Sequence, residues 1–266
     1  MSRPDDLLSS EALGFDPEAL TKRYEYERER RIREDAESQF VEVKTDSRFA
    51  ERYLINDPYA DPIERGPIND TNEVVIIGGG WVGMMTAARL RQAGVQDIRI
   101  IESGADFGGT WYWNRYPGAQ CDIESYSYLP LLEETGYMPK LRYSFAPEIF
   151  QHAQRIGKHF ELYKNALFQT WVTELRWSEE ELAWIISTNQ KDKIKARYIC
   201  LGTGPANRPR LPGIAGIADF KGHSFHTCRW DYDYTGGGPE GNLGKLAEKK
   251  VAIIGTGATA VQCVPA

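Results

Sequence analysis

Three stretches of the sequence combine residue types that could take part in chemistry. Two are glycine-rich loops, Gly78-Gly79-Gly80-Trp81-Val82-Gly83 and Gly255-Thr256-Gly257-Ala258-Thr259-Ala260. The third runs from Phe220 to Asp231, between the two loops, and contains two histidines and a tryptophan. Glycines at these spacings allow a tight turn, and they let backbone N–H groups approach a pyrophosphate at a helix N-terminus. The pattern predicts two dinucleotide sites with a coupling segment between them.

The first loop lies in a context typical of a nucleotide-binding unit. Glu73–Ile77 is a short apolar run that predicts a buried parallel strand, residues 81–93 have helical periodicity, and Asp97–Glu102 predicts the next strand. Strand, loop, helix and strand form a right-handed βαβ unit. Glu102 ends the second strand, where an acid accepts hydrogen bonds from ribose hydroxyls and repels a 2′-phosphate. FAD or NAD is therefore favoured over NADP here, and the alternative is a purely structural βα turn.

The second loop has the same context but a shorter continuation. Lys250–Ile254 predicts a strand that leads into the loop, and Gln262 extends the pattern to GxGxxAxQ. A βαβ unit needs about 30 residues or more, and the chain stops at Ala266. We therefore expect this sequence to be the N-terminal part of a longer protein. Two such loops in one chain indicate a flavoprotein that uses a nicotinamide cofactor.

An aromatic loop, Gly108–Asp122, follows the first βαβ unit. Trp111, Tyr112, Trp113 and Tyr116 fall within six positions of one another, and so many exposed rings are unfavourable unless they pack on something. A flat isoalloxazine ring is one candidate partner, and a local aromatic core is the alternative. A carboxylate at Asp122 could orient a cationic partner over the flavin.

With these motifs, the sequence resembles the type I Baeyer–Villiger monooxygenases of the class B flavoprotein monooxygenases. One family motif, (A/G)GxWxxxx(F/Y)P(G/M)xxxD, is matched at Gly108, Gly109, Trp111, Tyr116, Pro117, Gly118 and Asp122. The other, FxGxxxHxxxW followed by Pro or Asp, is matched at Phe220, Gly222, His226, Trp230 and Asp231. The resemblance covers roughly residues 73–266. Flavin-containing and N-hydroxylating monooxygenases share the loops but usually lack a tryptophan at the position of Trp230.

The resemblance implies an activity. In the family, NADPH reduces bound FAD, and the reduced flavin captures O2 as a C4a-peroxide that converts a ketone to an ester or lactone. Asp122 would orient an arginine that lies past Ala266, so we expect the 266-residue chain alone to lack turnover. The predicted catalytic residues are Asp122, His226 and Trp230. The predicted FAD contacts are Gly78, Gly80, Trp81, Gly83, Glu102, Thr110, Trp111, Trp113, Tyr116, Gln120, Asp122, Tyr128 and Val172, and those to NADPH are Gly255, Thr256, Gly257, Thr259, Ala260 and Gln262.

His226 has more than one interpretation. Its unperturbed pKa of about 6.5 suits a general base, whereas the family resemblance implies a connector that couples domain movement to catalysis. A metal site formed by His223, His226 and Cys228 is a third option, although the spacing fits no standard zinc pattern. We expect Cys121 and Cys228 to be packed thiols.

The composition narrows the possible partners and setting. A net charge of -6 argues against a nucleic-acid partner, and no apolar run approaches the ~20 residues needed to cross a membrane. The four cysteines have no paired spacing, which favours a reducing, cytoplasmic setting. A small-molecule ketone and O2 are the expected partners.

The predicted fold is α/β, with two Rossmann-like dinucleotide-binding domains, the second only begun, and an N-terminal helical and extended arm. The expected domains are 1–72 (arm), 73–205 (FAD binding), 206–250 (linker with the FxGxxxHxxxW motif) and 251–266 (start of the NADPH domain). Further predicted elements are a helix that starts at Asp16-Pro17, a helix over Pro147–Asn165, and strands Thr170–Trp177, Ala183–Thr188 and Lys195–Leu201.

Other functions fit parts of the pattern. A flavin monooxygenase that oxidises nitrogen or sulfur would use the same loops. A disulfide reductase would need a redox CxxC, which the sequence lacks. A nucleotide-binding chain without turnover is the third alternative.

Overall fold

The computed structural model describes residues 10–43, 49, 53, 56–205 and 208–266. Its α-helices are α1 Ser10–Leu13, α2 Pro17–Glu29, α3 Trp81–Gln92, α4 Thr110–Trp113, α5 Ser125–Tyr128, α6 Leu132–Thr135, α7 Ala146–His159, α8 Tyr232–Thr235 and α9 Ala258–Cys263. Its strands are β1 Phe40–Glu42, β2 Asn69–Ile77, β3 Ile98–Ile101, β4 Ala166–Leu167, β5 Val172–Ser178, β6 Ala183–Thr188, β7 Lys193–Leu201 and β8 Arg210–Pro212. Short 3-10 helices cover Ala36–Gln39, Leu162–Asn165, Thr227–Arg229 and Gly244–Leu246.

A six-stranded mixed sheet organises the fold, in the order β4-β3-β2-β7-β6-β5. Neighbouring strands pair in parallel among β4, β3, β2 and β7. In contrast, β6 pairs antiparallel with both β7 and β5. β2 is central because its apolar run is buried on both faces: Val74, Val75 and Ile76 are at most 5% exposed. The carboxyl ends of β2 and β3 therefore lie side by side, with Ile77 opposite Ile101.

Two apolar clusters cover the two faces of this sheet. On one face, α3 contributes Met84, Ala87 and Ala88, and α7 contributes Ala153 and Ile156. The opposite face is filled by a smaller group, Val75, Ile101, Leu167, Ile186, Ile194 and Ala196. The α/β fold class predicted from the periodicity is confirmed, and the sheet presents the first glycine loop at its carboxyl edge.

The segment that precedes β2 is fastened to the start of β7. Arg65 makes two hydrogen bonds to the Asp192 carboxylate, Nη1 to Oδ1 at 2.6 Å and Nη2 to Oδ2 at 2.7 Å. The same carboxylate accepts from Ile68 N–H at 2.8 Å and from the Thr188 hydroxyl at 2.6 Å. These contacts hold the pKa of Asp192 at about 2 despite burial, which alone would raise it. The predicted extended arm therefore lies against the sheet over the part that the structure describes.

The chain divides into two compact units. The first comprises Met1–Val41 with Pro212–Asp219, and the second Glu42–Leu211 with Phe220–Ala266. In the first unit, Asp16 caps α2 by accepting from the N–H groups of Glu18 and Ala19, as the Asp-Pro pair predicts. α2 buries none of its side chains, which is consistent with a solvated helix. The predicted domain boundaries remain predictions.

Most predicted elements are confirmed, with shifted ends. β6 matches its prediction, and β7 begins two residues before the predicted start. The predicted helix to Asn165 ends at His159, because Glu161 adopts a left-handed backbone with φ +54° that interrupts the helix. A separate 3-10 turn then follows. Of the predicted arm and linker, residues 1–9, 44–48, 50–52, 54–55 and 206–207 lie outside the described residues.

The predicted strand Lys250–Ile254 is wrong. These residues have no regular structure, and Val251 and Ile254 are 59% and 69% exposed. A strand is held by hydrogen bonds to a neighbouring strand, and no described strand lies beside this segment. An apolar run before a glycine loop therefore did not suffice to form a strand.

Candidate functional site

The first glycine loop is shaped by contacts that only glycine tolerates. Gly78 has φ +109°, and a Cβ there would lie 2.4 Å from the Gly202 carbonyl oxygen. A Cβ on Gly83 would lie 1.9 Å from the Gly78 oxygen. The turn from β2 into α3 is therefore as tight as the GxGxxG pattern predicts. The loop directs the first N–H groups of the twelve-residue α3 towards the edge of the sheet.

Glu102 lies at the base of this loop, where the sequence places it. Its carboxylate is 4% exposed and accepts hydrogen bonds from Gly79 N–H at 2.5 Å and Gly104 N–H at 2.7 Å. Burial raises the pKa of Glu102, and these N–H groups oppose that shift. The acid thus sits one hydrogen bond from the loop, close to where a bound ribose would lie.

The aromatic loop packs directly against the glycine loop. A Cβ on Gly109 would lie 2.8 Å from the Gly80 Cα, so the two backbones touch. Trp111 Nε1 donates to the Tyr128 hydroxyl at 2.7 Å, and Trp81 meets the Tyr128 ring edge-on at 6.4 Å between centroids. Four predicted FAD contacts, Gly80, Trp81, Trp111 and Tyr128, therefore lie together at the first loop.

Not every ring in this loop is free to face a ligand. Trp111 and Tyr116 are each 8% exposed and pack in one cluster with Ile149 and Trp230. The alternative of a local aromatic core therefore describes these two side chains in the unliganded chain. Thr110 is exposed at the start of α4. Val172 begins β5, two residues after Thr170, whose N–H donates to Glu102 O at 2.9 Å.

The residues present suit a dinucleotide at the first loop. The glycine positions leave the backbone uncovered at the start of α3, where an anion is favoured by the helix dipole. Among the described residues, the buried Trp81 indole Nε1 has no hydrogen-bond partner. A buried donor without a partner is uncommon, and a ligand acceptor beside the loop would satisfy it.

Asp122 lies at the exposed end of the aromatic loop, next to the buried Cys121. The loop is tied to the following segment by two hydrogen bonds, Cys121 N–H to Ser144 O at 3.1 Å and Gln120 Nε2 to Tyr143 O at 2.8 Å. Burial raises the pKa of the Cys121 thiol, and the negative charge of Asp122 adds to the effect. Asp122 is therefore accessible on an anchored backbone.

The connector motif is exposed at Phe220 and packed at its C-terminal end. Trp230 is 6% exposed, and its indole donates to the Thr235 hydroxyl at 3.1 Å. His226 Nδ1 accepts from Cys228 N–H at 3.2 Å, which caps the short 3-10 helix. Burial lowers the pKa of His226, and the nearby Arg229 charge lowers it further. Because Nδ1 is already engaged in this cap, the geometry favours a structural connector.

Arg229 is a functional candidate that sequence analysis missed. Its guanidinium carbon lies 3.6 Å from the centroid of the Trp113 ring, so the connector stacks on the aromatic loop. The side chain is 9% exposed, and burial lowers its pKa. Among the described residues, its Nε has no hydrogen-bond partner. The sequence did contain one signal for this residue, because Arg229 lies between the two motif residues His226 and Trp230.

The proposed metal site is not formed by the described residues. His223 Nε2 pairs with Asp231 at 2.8 Å and its ring stacks on Tyr234, whereas His226 faces Cys228. In the part of the chain that the structure describes, no three His, Cys, Asp or Glu side chains are grouped to hold a metal. None of the described helices is long and apolar enough to cross a membrane.

The second glycine loop lies on the surface. Residues 250–258 are exposed, and a Cβ on Gly255 or Gly257 would meet nothing within 4 Å. Thr259 and Ala260 are half-buried in α9. Gln262 in the same helix hydrogen-bonds to the aromatic loop, with its Nε2 donating to Gln120 O at 2.8 Å. The two predicted cofactor regions therefore meet through α9.

The loop between β2 and α3, the acid after β3 and the mixed sheet form an α/β domain of the dinucleotide-binding type. The chain belongs to the pyridine nucleotide-disulphide oxidoreductase family, whose model matches residues 72–264.

Two relatives with known names show which members of this family the chain is similar to. The chain is 54% identical over 257 residues to the Baeyer-Villiger monooxygenase ATR8 of Stachybotrys chlorohalonatus, covering 96% of this chain and 41% of that relative. It is 49% identical over 253 residues to a Baeyer-Villiger monooxygenase of Streptomyces coelicolor, covering 94% and 41%. The chain thus spans about two fifths of the length of these relatives, and the resemblance found in the motifs is confirmed.

Solved structures agree with these relatives. The polycyclic ketone monooxygenase from Thermothelomyces thermophila matches with a TM-score of 0.85 and 40% identity, over 93% of this chain and 42% of that chain. OTEMO in complex with FAD and NADP matches with a TM-score of 0.66 and 36% identity, over 73% of this chain and 36% of that chain.

Proposed function

We propose that this protein is an FAD- and NADPH-dependent monooxygenase that inserts one oxygen atom of O2 next to a ketone carbonyl, giving an ester or a lactone. The observation that carries the proposal is the contact between the aromatic loop beside the first glycine loop and α9 of the second. This contact joins the second loop to the first family motif, and Trp230 of the second motif packs in the same cluster as Trp111 and Cys263. The names of the relatives support the same activity.

The first glycine loop and Glu102 would bind different parts of the FAD molecule. Gly78, Gly80 and Gly83 would let the N-terminus of α3 approach a pyrophosphate. Glu102 would accept a hydrogen bond from a ribose hydroxyl while keeping its bonds to the loop, since a carboxylate has lone pairs for both. Bound FAD would supply the oxygen-activating chemistry, and NADPH the electrons.

The aromatic loop would shape the flavin side of the site. Trp81, Trp111 and Tyr128 form its wall beside the glycine loop and would exclude water there. Asp122 is exposed beyond that wall, where its charge could orient a cationic group. Thr256 on the open second loop and the half-buried Thr259 at the start of α9 would contact NADPH.

The disulfide chemistry in the family's description does not suit this chain. Its four cysteines are free thiols, and no two of them are spaced as CxxC. We propose a reducing, cytoplasmic setting on the same grounds, with a small-molecule ketone and O2 as the reaction partners.

A purified sample tests the activity. The chain and, in parallel, the complete reading frame that encodes it should be scanned for a flavin absorbance band and then supplied with NADPH in air. We expect a flavin band in both samples and ester or lactone from a cyclic ketone with the complete protein. Oxygenation of a thioether or amine, with every ketone in a panel unchanged, would replace this proposal by the heteroatom-oxidising alternative.

A further inference from the structure

The Gln262 side chain makes an unusual contact for a residue of a nucleotide loop. Its amide hydrogen-bonds to the backbone of Gln120, with Nε2 donating to Gln120 O at 2.8 Å and Oε1 accepting from Gln120 N–H at 3.4 Å. The same Oε1 accepts from the Tyr116 hydroxyl at 2.8 Å. Both Gln120 and Tyr116 belong to the aromatic loop.

The surroundings of this contact are closely packed. Gly118 has φ +73°, and a Cβ there would lie 2.5 Å from the Gln262 carbonyl oxygen. Cys263, the next residue of α9, is 4% exposed and packs in the same cluster as Trp111 and Tyr116. Burial raises the pKa of Tyr116, and a hydrogen bond with Thr259 opposes that shift. One face of α9 is therefore docked on the aromatic loop.

The other side of α9 is open. Val261 is 70% exposed, and the loop before the helix has free space around Gly255 and Gly257. A nucleotide that binds this loop would contact the N-terminus of α9, whereas Gln262 lies at its opposite end, on the aromatic loop. Any movement of α9 on binding would be passed to Gln120 and Tyr116 through that amide.

We propose that Gln262 is a positioning residue that couples occupancy of the second glycine loop to the conformation of the aromatic loop. This role replaces the direct nucleotide contact that the loop pattern predicts for Gln262, and it rests on the proposed function because it requires a nucleotide at the second loop. An amide suits this role because it has both a donor and an acceptor for one peptide group.

Hydrogen exchange measured by mass spectrometry tests the contact without any cofactor. In the unliganded full chain, Gln262→Ala removes the acceptor for the Gln120 amide, and we expect exchange in the peptide covering residues 116–121 to rise about five- to tenfold, as for the loss of one ordinary hydrogen bond. Gln262→Glu keeps the acceptor but loses the donor, and should give a smaller rise. Val261→Ala, on the exposed side of α9, is the matched control and should change nothing.

NADP+ titration then tests the coupling. In the wild-type chain, NADP+ should alter exchange in the peptide covering 116–121. In Gln262→Ala, NADP+ should bind with a dissociation constant within about threefold of wild type, since one lost indirect contact is worth less than a tenfold change, but the peptide should no longer respond.

The outcomes separate the two proposals. A Gln262→Ala variant whose aromatic loop still responds to NADP+ would overturn the coupling role. Loss of NADP+ binding in Gln262→Ala, with unliganded exchange at 116–121 unchanged, would return Gln262 to a direct nucleotide contact. Absence of NADP+ binding in both the wild-type chain and the complete protein would contradict the proposed function itself, while the unliganded exchange experiment would still report on the Gln262 contact.

Discussion

The two glycine loops have almost the same sequence pattern but different structures. The first follows the central strand β2, and a Cβ on Gly83 would collide with the Gly78 carbonyl oxygen. The second follows an exposed segment without regular structure, and its glycines have open space around them. The difference shows that the pattern specifies the turn into a helix, whereas the strand before it depends on neighbouring strands.

The largest expected difference in stability is between substitutions of the apolar residues just before the two loops. Ile76 is fully buried in β2, whereas its counterpart Ile253 is 40% exposed. Ile76→Ala should lower the free energy of unfolding by about 3 to 4 kcal/mol, through lost burial and a cavity. Ile253→Ala should lower it by less than about 1 kcal/mol. Urea unfolding followed by circular dichroism measures both, and equal losses would contradict the structural difference.

Matched glycine substitutions come next. Gly83→Ala should cost about 3 kcal/mol of unfolding free energy, because the new methyl group cannot fit beside the Gly78 oxygen without moving the backbone. Gly257→Ala, at the residue just before α9, which is the counterpart of Gly80, meets no atom within 4 Å and should cost less than about 1 kcal/mol. Thermal unfolding compares the pair. A Gly257→Ala variant as unstable as Gly83→Ala would mean that the second loop is as tightly packed as the first.

The framework under the first loop should also respond to acid. Contacts from Arg65, Thr188 and Ile68 lower the pKa of Asp192 to about 2. A lowered pKa adds stability above the unfolded value of about 4, and that stability is lost as the pH falls towards 2. At neutral pH, the lowered pKa of Asp192 contributes about 2 kcal/mol to the free energy of unfolding.

Unfolding free energies measured between pH 7 and pH 2 test this contribution. Asp192→Asn should be less stable than wild type at pH 7, and the difference should shrink as the pH falls. Asp219 is an exposed carboxylate for the control substitution Asp219→Asn. If the difference in unfolding free energy between Asp192→Asn and wild type is the same at every pH, the charge of Asp192 does not contribute to stability.

The smallest effect is expected in the connector between the loops. Arg229→Lys keeps the charge but loses the flat guanidinium that stacks on Trp113. We expect a loss of about 1 kcal/mol in unfolding free energy and a change in tryptophan fluorescence. Lys221→Arg, on the exposed part of the same motif, should alter neither. Fluorescence unchanged in Arg229→Lys would show that the stacking does not hold the connector to the loop.

Local steric rules explain what could be predicted from the sequence. Gly78, Gly83 and Glu102 follow from the geometry of one turn and one pair of adjacent strands, so a short stretch of sequence specifies them. The strand predicted over Lys250–Ile254 failed because strand formation depends on a partner that the local pattern does not contain.

Contacts between distant segments could not be predicted. Gln262 meets Gln120 across 142 positions, and Arg229 meets Trp113 only because the connector folds back on the aromatic loop. Neither contact has a local spacing rule. Both became visible only when the structure placed α9 and the connector against the same loop.

Competitive binding tests the central claim, that the two loops hold two different dinucleotides, most directly. FAD fluorescence should be followed while the purified chain is titrated with FAD, and NADP+ should then be added to the saturated sample. The account predicts one FAD per chain that NADP+ does not displace, together with a second, saturable response to NADP+. Displacement of FAD by NADP+, or binding of one nucleotide in total, would contradict it.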